Sequence, residues 1–188
     1  MKYQNLKMET KMSKINIKNA RLSFPSIFRK SVFNGVECKF ESTFLLDKVE
    51  QADQIDAINK AIKAFLIEKF GEGKAPKGIK LTCLQDGDDK DYDGYEGKMA
   101  FKATSNRRPL VIDRDRTPLA EDDGKPYAGC YVNGIVSLWY SDHAAGGKQV
   151  LANLEGIQFF KDGEVFGDAG ISVNAFDAFD DESDDDFI

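Results

Sequence analysis

The sequence predicts a mainly β protein: a five-stranded barrel of Greek-key type with one helix and extra loops and hairpins. Three observations carry this. Several segments alternate apolar and polar residues with a period of two, as strands with one buried face do. A single stretch, residues 55–66, repeats its apolar residues at helical spacing instead. The order is strands, helix, strands, which suits a closed sheet with a helix over one end.

Residues 1–12 read as an extension ahead of the domain and are expected to be disordered. From Ser13 the β pattern starts. Ile15 and Ile17 alternate with Lys14, Asn16 and Lys18. A bulge near Asn19 and Ala20 lets Leu22 and Phe24 continue the apolar face, and Pro25 is expected to end the strand. A loop with Phe28, Arg29, Lys30 and Phe33 follows. Residues 35–46 form the next strand, with Cys38, Phe40, Ser42, Phe44 and Leu46 inward and Glu37, Lys39, Glu41 and Thr43 outward.

Ile55, Ile58, Ile62, Phe65 and Leu66 share one helical face, and Lys60, Lys63 and Glu68 turn away. The helix starts at an Asp47–Glu50 capping pair or at Asp53, and stops at Gly71, Gly73 and Pro76. Strands return at Ile79–Cys83, Lys98–Ala103, residues 129–140 with a bend at Gly134, and residues 150–160, and residues 109–112 make a short strand or an extended link. The oligonucleotide/oligosaccharide-binding (OB) fold, a five-stranded Greek-key barrel often carrying a helix between its third and fourth strands, fits this order. A sandwich with an inserted helix fits the periodicity too.

The domain is expected to span residues 13–166. Residues 167–188 are expected to be a disordered acidic tail. Residues 177–188 hold seven acids and no base, so the rest of the chain is net +1 although the whole is −6. Residues 1–80 are net +7, residues 81–97 net −5 and residues 98–120 net +4. An acidic total therefore does not exclude an anionic ligand.

No apolar run approaches the roughly 20 residues a membrane span needs, and no membrane association is expected. The cysteines (Cys38, Cys83, Cys130) lie far apart and read as buried thiols of a reducing compartment. His143 is the only histidine, and neither GxSxG nor a Walker sequence occurs, so no catalytic residue and no cofactor are assigned. Asp89, Asp91, Asp93 and Gly94 match half of a calcium loop, but Ala100 stands where the bidentate Glu belongs; the loop reads as a flexible hairpin with no metal. Asp113 and Asp115, flanked by Arg114 and Arg116, read as surface ion pairs.

Lysines mark the polar strand faces: Lys39, Lys80, Lys98 and Lys102, with Arg107 and Arg108 in the loop after one strand. Single-stranded nucleic acid needs such cations for its phosphates and aromatic planes for its bases. Tyr127, Tyr131 and Trp139 are the candidate planes; Tyr131 and Trp139 share the outer face of one strand whose Val132, Val136 and Leu138 point inward. The tail ends on Asp184, Asp185, Asp186, Phe187 and Ile188, acids followed by an apolar terminus, which suits capture by a greasy pocket with a basic rim.

NARLSFPSIF (19–28), FESTFLLDK (40–48), IDAINKAI (55–62), NRRP (106–109), YAGCYVNGIVSLW (127–139), the stretch from Gly146 to Gly156, and the ending DDESDDDFI together resemble the phage-encoded single-stranded DNA-binding proteins with an OB core and an acidic C-terminal tail. The resemblance implies a protein that coats ssDNA in phage DNA replication, recombination or repair, without catalysis. It implies a tail that recruits replication or recombination proteins, and the cytoplasm of an infected bacterium as the site of action. Bacterial tips of this kind end in Pro-Phe, whereas here Ile188 follows Phe187. Two other readings fit the residues: a phage structural protein or interaction adaptor on a β-barrel scaffold, and a metal-dependent nuclease using Asp113 and Asp115.

Overall fold

Strand β1 (Lys14–Ser26) buries Ile15, Ile17, Ala20 and Leu22 and breaks twice. The structure, a computed structural model, describes residues 14–167. The first break is the expected bulge: Asn19 has φ 49°, and the pairing with β9 (Tyr131–Ser141) shifts between Ile17 and Ala20. The second was not expected. Phe24 has φ 46°, and the pairing with the next barrel strand shifts between Ser23 and Ser26. Pro25 thus sits inside a bulge, where its missing N–H interrupts no ladder, instead of ending the strand. The same kink turns Phe24, expected in the core, out to 54% exposure.

Residues 35–39 are not part of the following strand. β2 (Val32–Phe33) and β3 (Val36–Glu37) form a small hairpin closed by Asn34 and Gly35, at φ 50° and 76°. Asn-Gly is the pair that tolerates such a turn. Val32, Phe33 and Val36 are exposed, and so is Cys38, which the alternation placed inside. β4 (Phe40–Asp47) then follows the pattern, with Ser42, Phe44 and Leu46 buried.

Helix α1 (Ala52–Phe70) buries Ile58 and Ile62 and packs Ile55, Phe65 and Leu66 on the barrel. Gly71 caps it at φ 91°, its N–H donating to Ile67 O at 2.7 Å. Its start differs from both expectations. Asp47 accepts from the Val49 and Glu50 N–H groups in the preceding turn, and Gln51 is the N-cap. Gln51 and Gln54 donate to the Lys18 and Asn19 carbonyls at the first β1 bulge, which satisfies groups the bulge frees from the ladder.

β5 (Lys80–Leu81) and β6 (Leu84–Asp86) are short edge pieces where one strand was expected; Cys83 is buried, but Leu81 is exposed. β7 (Lys98–Ser105), β8 (Leu110–Ile112), β9 (Tyr131–Ser141) and β10 (Gln149–Lys161) complete the chain. Gly134 lies in mid-β9 because the Phe44 ring occupies the space a Cβ would fill. Five strands close in the order β1-β4-β7-β10-β9, with β9 returning to β1 and β10 meeting β7 in parallel at Asn153 and Thr104. This is the OB barrel. Its helix joins the second and third barrel strands, β4 and β7, rather than the third and fourth.

Among the described residues no helix is long and apolar enough to cross a membrane. Residues 1–12 and the tail with Asp184, Asp185, Asp186, Phe187 and Ile188 lie outside the described residues, and of the span 167–188 only Gly167 is described.

Candidate nucleic-acid interface

β4 and β7 run antiparallel with Phe40 opposite Ser105 and Asp47 opposite Lys98. Their outward side chains therefore form a floor. From one end it reads Asp47 with Lys98, Leu45 with Ala100, Thr43 with Lys102, and Glu41 with Thr104. Lys39 and Asn106 prolong it, and Arg107 and Arg108 emerge at the same end because β4 begins where β7 stops.

The loop between β6 and β7 folds over this floor. Tyr95 is buried on Leu45 and Ala100, and its hydroxyl is 3.2 Å from Ser23 Oγ. Asp86 and Asp88 both accept from Lys48, and Asp88 also accepts from the Gly97 N–H. The acids expected on a flexible hairpin thus belong to a loop fastened at several points. Tyr92 lies edge-on to Tyr95 at 5.2 Å and to Phe24 at 5.1 Å between ring centroids. Phe24 and Tyr92 are 54% and 55% exposed, so their faces are available for stacking.

A groove of about 830 Å³ results, lined by Phe24, Tyr92, Tyr95, Phe166, Lys90 and Lys102 among others. A second of about 460 Å³ is lined by Val32, Phe33, Cys38, Lys39 and Asn106. Glu41 lines both, so the two are neighbours on the sheet.

The sequence-derived residues divide by place. Lys39, Arg107 and Arg108 are exposed and make no ion pair among the described residues; the Arg108 guanidinium lies 5.6 Å from the Phe28 ring centroid. Lys98 and Lys102 are on the floor but paired, to Asp47 at 2.6 Å and to Glu41 at 2.8 Å. The Lys98 hydrogen bond, with the Glu50 and Val49 N–H groups, holds the Asp47 carboxyl at about 2. Lys80 pairs opposite Gln149 on β5 and lines neither groove.

The predicted aromatics lie elsewhere. Tyr127 is a brace: its hydroxyl donates to Asp162 at 2.9 Å and accepts the Gly163 N–H at 3.2 Å. Tyr131 and Trp139 do share the outward face of β9, with Val132, Val136 and Leu138 buried behind them, but neither lines a groove. The Tyr131 ring already holds Lys161 at 4.6 Å and Arg21 at 6.0 Å. Asp113 pairs with Lys125 at 2.7 Å instead of a neighbouring arginine, and Asp115 accepts the Thr117 N–H. Phe24, Tyr92, Tyr95 and Phe166 were missed. Alternation assigns Phe24 to the core, Tyr92 and Tyr95 stand among acids, and Phe166 borders the tail.

OB folds bind oligonucleotides or oligosaccharides across the face of their second and third strands. The groove occupies that face, β4 and β7, which defines the molecule as an OB-fold protein with an aromatic groove on the face of its second and third strands. A family model described as Enterobacter phage Enc34, ssDNA-binding protein, matches residues 13–188, and the chain belongs to that family. Protein p50 of Acyrthosiphon pisum secondary endosymbiont phage 1 is 41% identical over 173 residues, covering 87% of this chain and 92% of its own. The solved single-stranded DNA-binding protein from bacteriophage Enc34, in complex with ssDNA, matches with TM-score 0.69 and 26% identity over 82% of this chain and 90% of that one. The single-stranded DNA binding protein gp2.5 encoded by bacteriophage T7 shares the fold alone, with TM-score 0.52 and 15% identity over 88% and 98% of the two chains.

Proposed function

We propose that this protein binds single-stranded DNA stoichiometrically along the β1–β4–β7 face and protects it during phage DNA replication, recombination or repair in the host cytoplasm. The observation that carries the reading is the groove itself: exposed rings at Phe24 and Tyr92 at one end and Lys39 at the other, with Arg107 and Arg108 in the loop beyond it, all three cations unpaired among the described residues. Bases stack on the rings, and every base has a face to stack, so this recognition is indifferent to sequence. Phosphates meet Lys39, Lys90, Arg107 and Arg108. Lys102 meets a phosphate only by giving up Glu41 and so adds no net contact. The acidic tail, ending Asp184-Asp185-Asp186-Phe187-Ile188, recruits replication or recombination proteins through its apolar tip.

Titration with fluorescent oligo-dT over a series of salt concentrations tests this. Four phosphate contacts on a single strand give a slope of log K on log salt of about −3. A salt-independent affinity, or equal affinity for R107Q/R108Q and the wild type, overturns the phosphate track.

A further inference from the structure

After β10 the chain turns back across the barrel, and its course is fixed at Gly163, Glu164, Phe166 and Gly167. Gly163 donates to the Tyr127 hydroxyl, Arg21 Nη2 donates to Glu164 O at 2.7 Å, the Phe166 N–H donates to Ala128 O at 3.1 Å, and the Gly167 N–H donates to Asp93 at 3.1 Å. Arg21 also donates from Nε to Gly129 O at 3.1 Å and lays its guanidinium 4.2 Å from the Phe166 ring centroid. The segment passes so close to the barrel that a Cβ on Gly129 would strike the Glu164 carbonyl.

The Phe166 ring leans on the outer cluster of Leu45, Tyr95 and Ala100 and fills the space above Gly94, where a Cβ would collide with it. Asp93 and Gly94 lie between Tyr92 and Tyr95, the two tyrosines that face Phe24. Phe166 and Gly167 therefore touch the loop that carries the aromatic wall and line the groove themselves.

We propose that residues 164–167 are a strap, with Arg21 and Phe166 as positioning residues, that holds Tyr92 and Tyr95 at the stacking geometry and so ties ssDNA affinity to the path by which the chain leaves the barrel. The part concerning DNA rests on the proposed function; the mechanical part does not. Arg21 grips the strap through the Glu164 carbonyl and the Phe166 ring face at once, a hydrogen-bonded and stacked contact that lysine does not reproduce. The Gly167–Asp93 bond joins the strap to the loop that carries Tyr92.

Hydrogen exchange of the full chain, followed by oligo-dT titration, tests this in F166A, F166Y and G94A. F166A and G94A are expected to speed exchange of the amides of residues 92–97 at least tenfold, with β9 and β10 unchanged, and to weaken oligo-dT binding about tenfold. F166Y, which keeps the ring, is expected to restore both. Unchanged exchange at 92–97 in F166A overturns the strap, as does faster exchange throughout the barrel, which would mark Phe166 as a general packing residue. Faster exchange at 92–97 with undiminished oligo-dT binding overturns its role in the groove. A wild type that does not bind oligo-dT at all overturns the proposed function and leaves the exchange result to decide the strap by itself.

Discussion

Lys102 Nζ lies 2.8 Å from Glu41 Oε2 across the β4–β7 pair, in the middle of the groove floor. A carboxylate in a polyanion's path opposes binding, yet here it also occupies the cation best placed to meet a phosphate. DNA entering the groove must exchange one anionic partner of Lys102 for another, so this lysine adds little net attraction. E41Q removes the competitor without changing the shape. It is expected to tighten oligo-dT binding several-fold at low salt and to steepen the salt slope by about 0.7, the increment of one further phosphate contact on a single strand. Parallel titrations of wild type, E41Q and E41Q/K102Q measure this, with the double variant returning to the wild-type slope.

The aromatic half of the groove gives a sharper contrast. Phe24 and Tyr92 are exposed rings on its wall, whereas Trp139 stands on the outward face of β9 away from it. F24A and Y92A are each expected to weaken oligo-dT binding by about 1–3 kcal/mol. Trp139 is the only tryptophan, so its emission reports on β9 alone. Saturating oligo-dT is expected to change that emission little and W139A to bind with near wild-type affinity. Strong quenching would place the DNA on the β9 face instead.

These two faces show what the sequence could reveal. Period-two alternation found the barrel strands, the 3.6 period found the helix, and Val132, Val136 and Leu138 were correctly turned inward. Lys39, Arg107 and Arg108 were found as cations, and the antiparallel register is what brings them to one end. The aromatic wall stayed hidden because it depends on departures from periodicity. A positive φ at Phe24 reverses its side chain, and a one-residue reversal leaves no mark in an alternating pattern. The hairpin at Asn34-Gly35 likewise interrupts an alternation that reads straight through it, and this exposes Cys38. Lys98 and Lys102 looked like free cations because their acids, Asp47 and Glu41, lie about 50 to 60 residues away in sequence and meet them only through the β4–β7 register.

Thiol chemistry separates the cysteines. Burial pushes Cys83 up to about 12 and Cys130 up to about 11, so neither forms thiolate near neutral pH. Cys38 is exposed in the second groove. An aromatic disulfide reagent is expected to titrate one thiol in the folded protein and three in denaturant. Saturating oligo-dT is expected to slow the reaction of Cys38, since DNA in the groove covers it.

Acid stability depends on the floor. Asp47 has a folded value of about 2 against an ordinary 3.8, owing first to the Lys98 hydrogen bond and then to the Glu50 and Val49 N–H groups. A carboxyl depressed by folding stabilises fully above its unfolded value, and that stabilisation is lost as pH falls towards the folded one. Thermal melts are expected to show the wild type losing stability between about pH 4 and pH 2. In D47N this part of the pH dependence is expected to be absent, with stability already lower at pH 7.

The tail adds a charge the body must accommodate. Residues 177–188 carry seven acids, and only nine residues separate Gly167, on the groove's lining, from Asp177. A tether that short gives an effective concentration on the order of millimolar. The tail is therefore expected to compete with DNA for Lys39, Lys90, Arg107 and Arg108, most strongly at low salt where screening is weak. Deleting residues 177–188 is expected to tighten oligo-dT binding, with the gain shrinking as salt rises. The deletion leaves residues 164–167 and the aromatic wall in place, and a gain that shrinks as salt rises is one that comes from charge. F187A keeps every charge and is expected to bind oligo-dT as the wild type does, while capture of a polymerase or recombination partner falls. Equal affinity of the deletion and the wild type at low salt would show that the tail does not reach the groove.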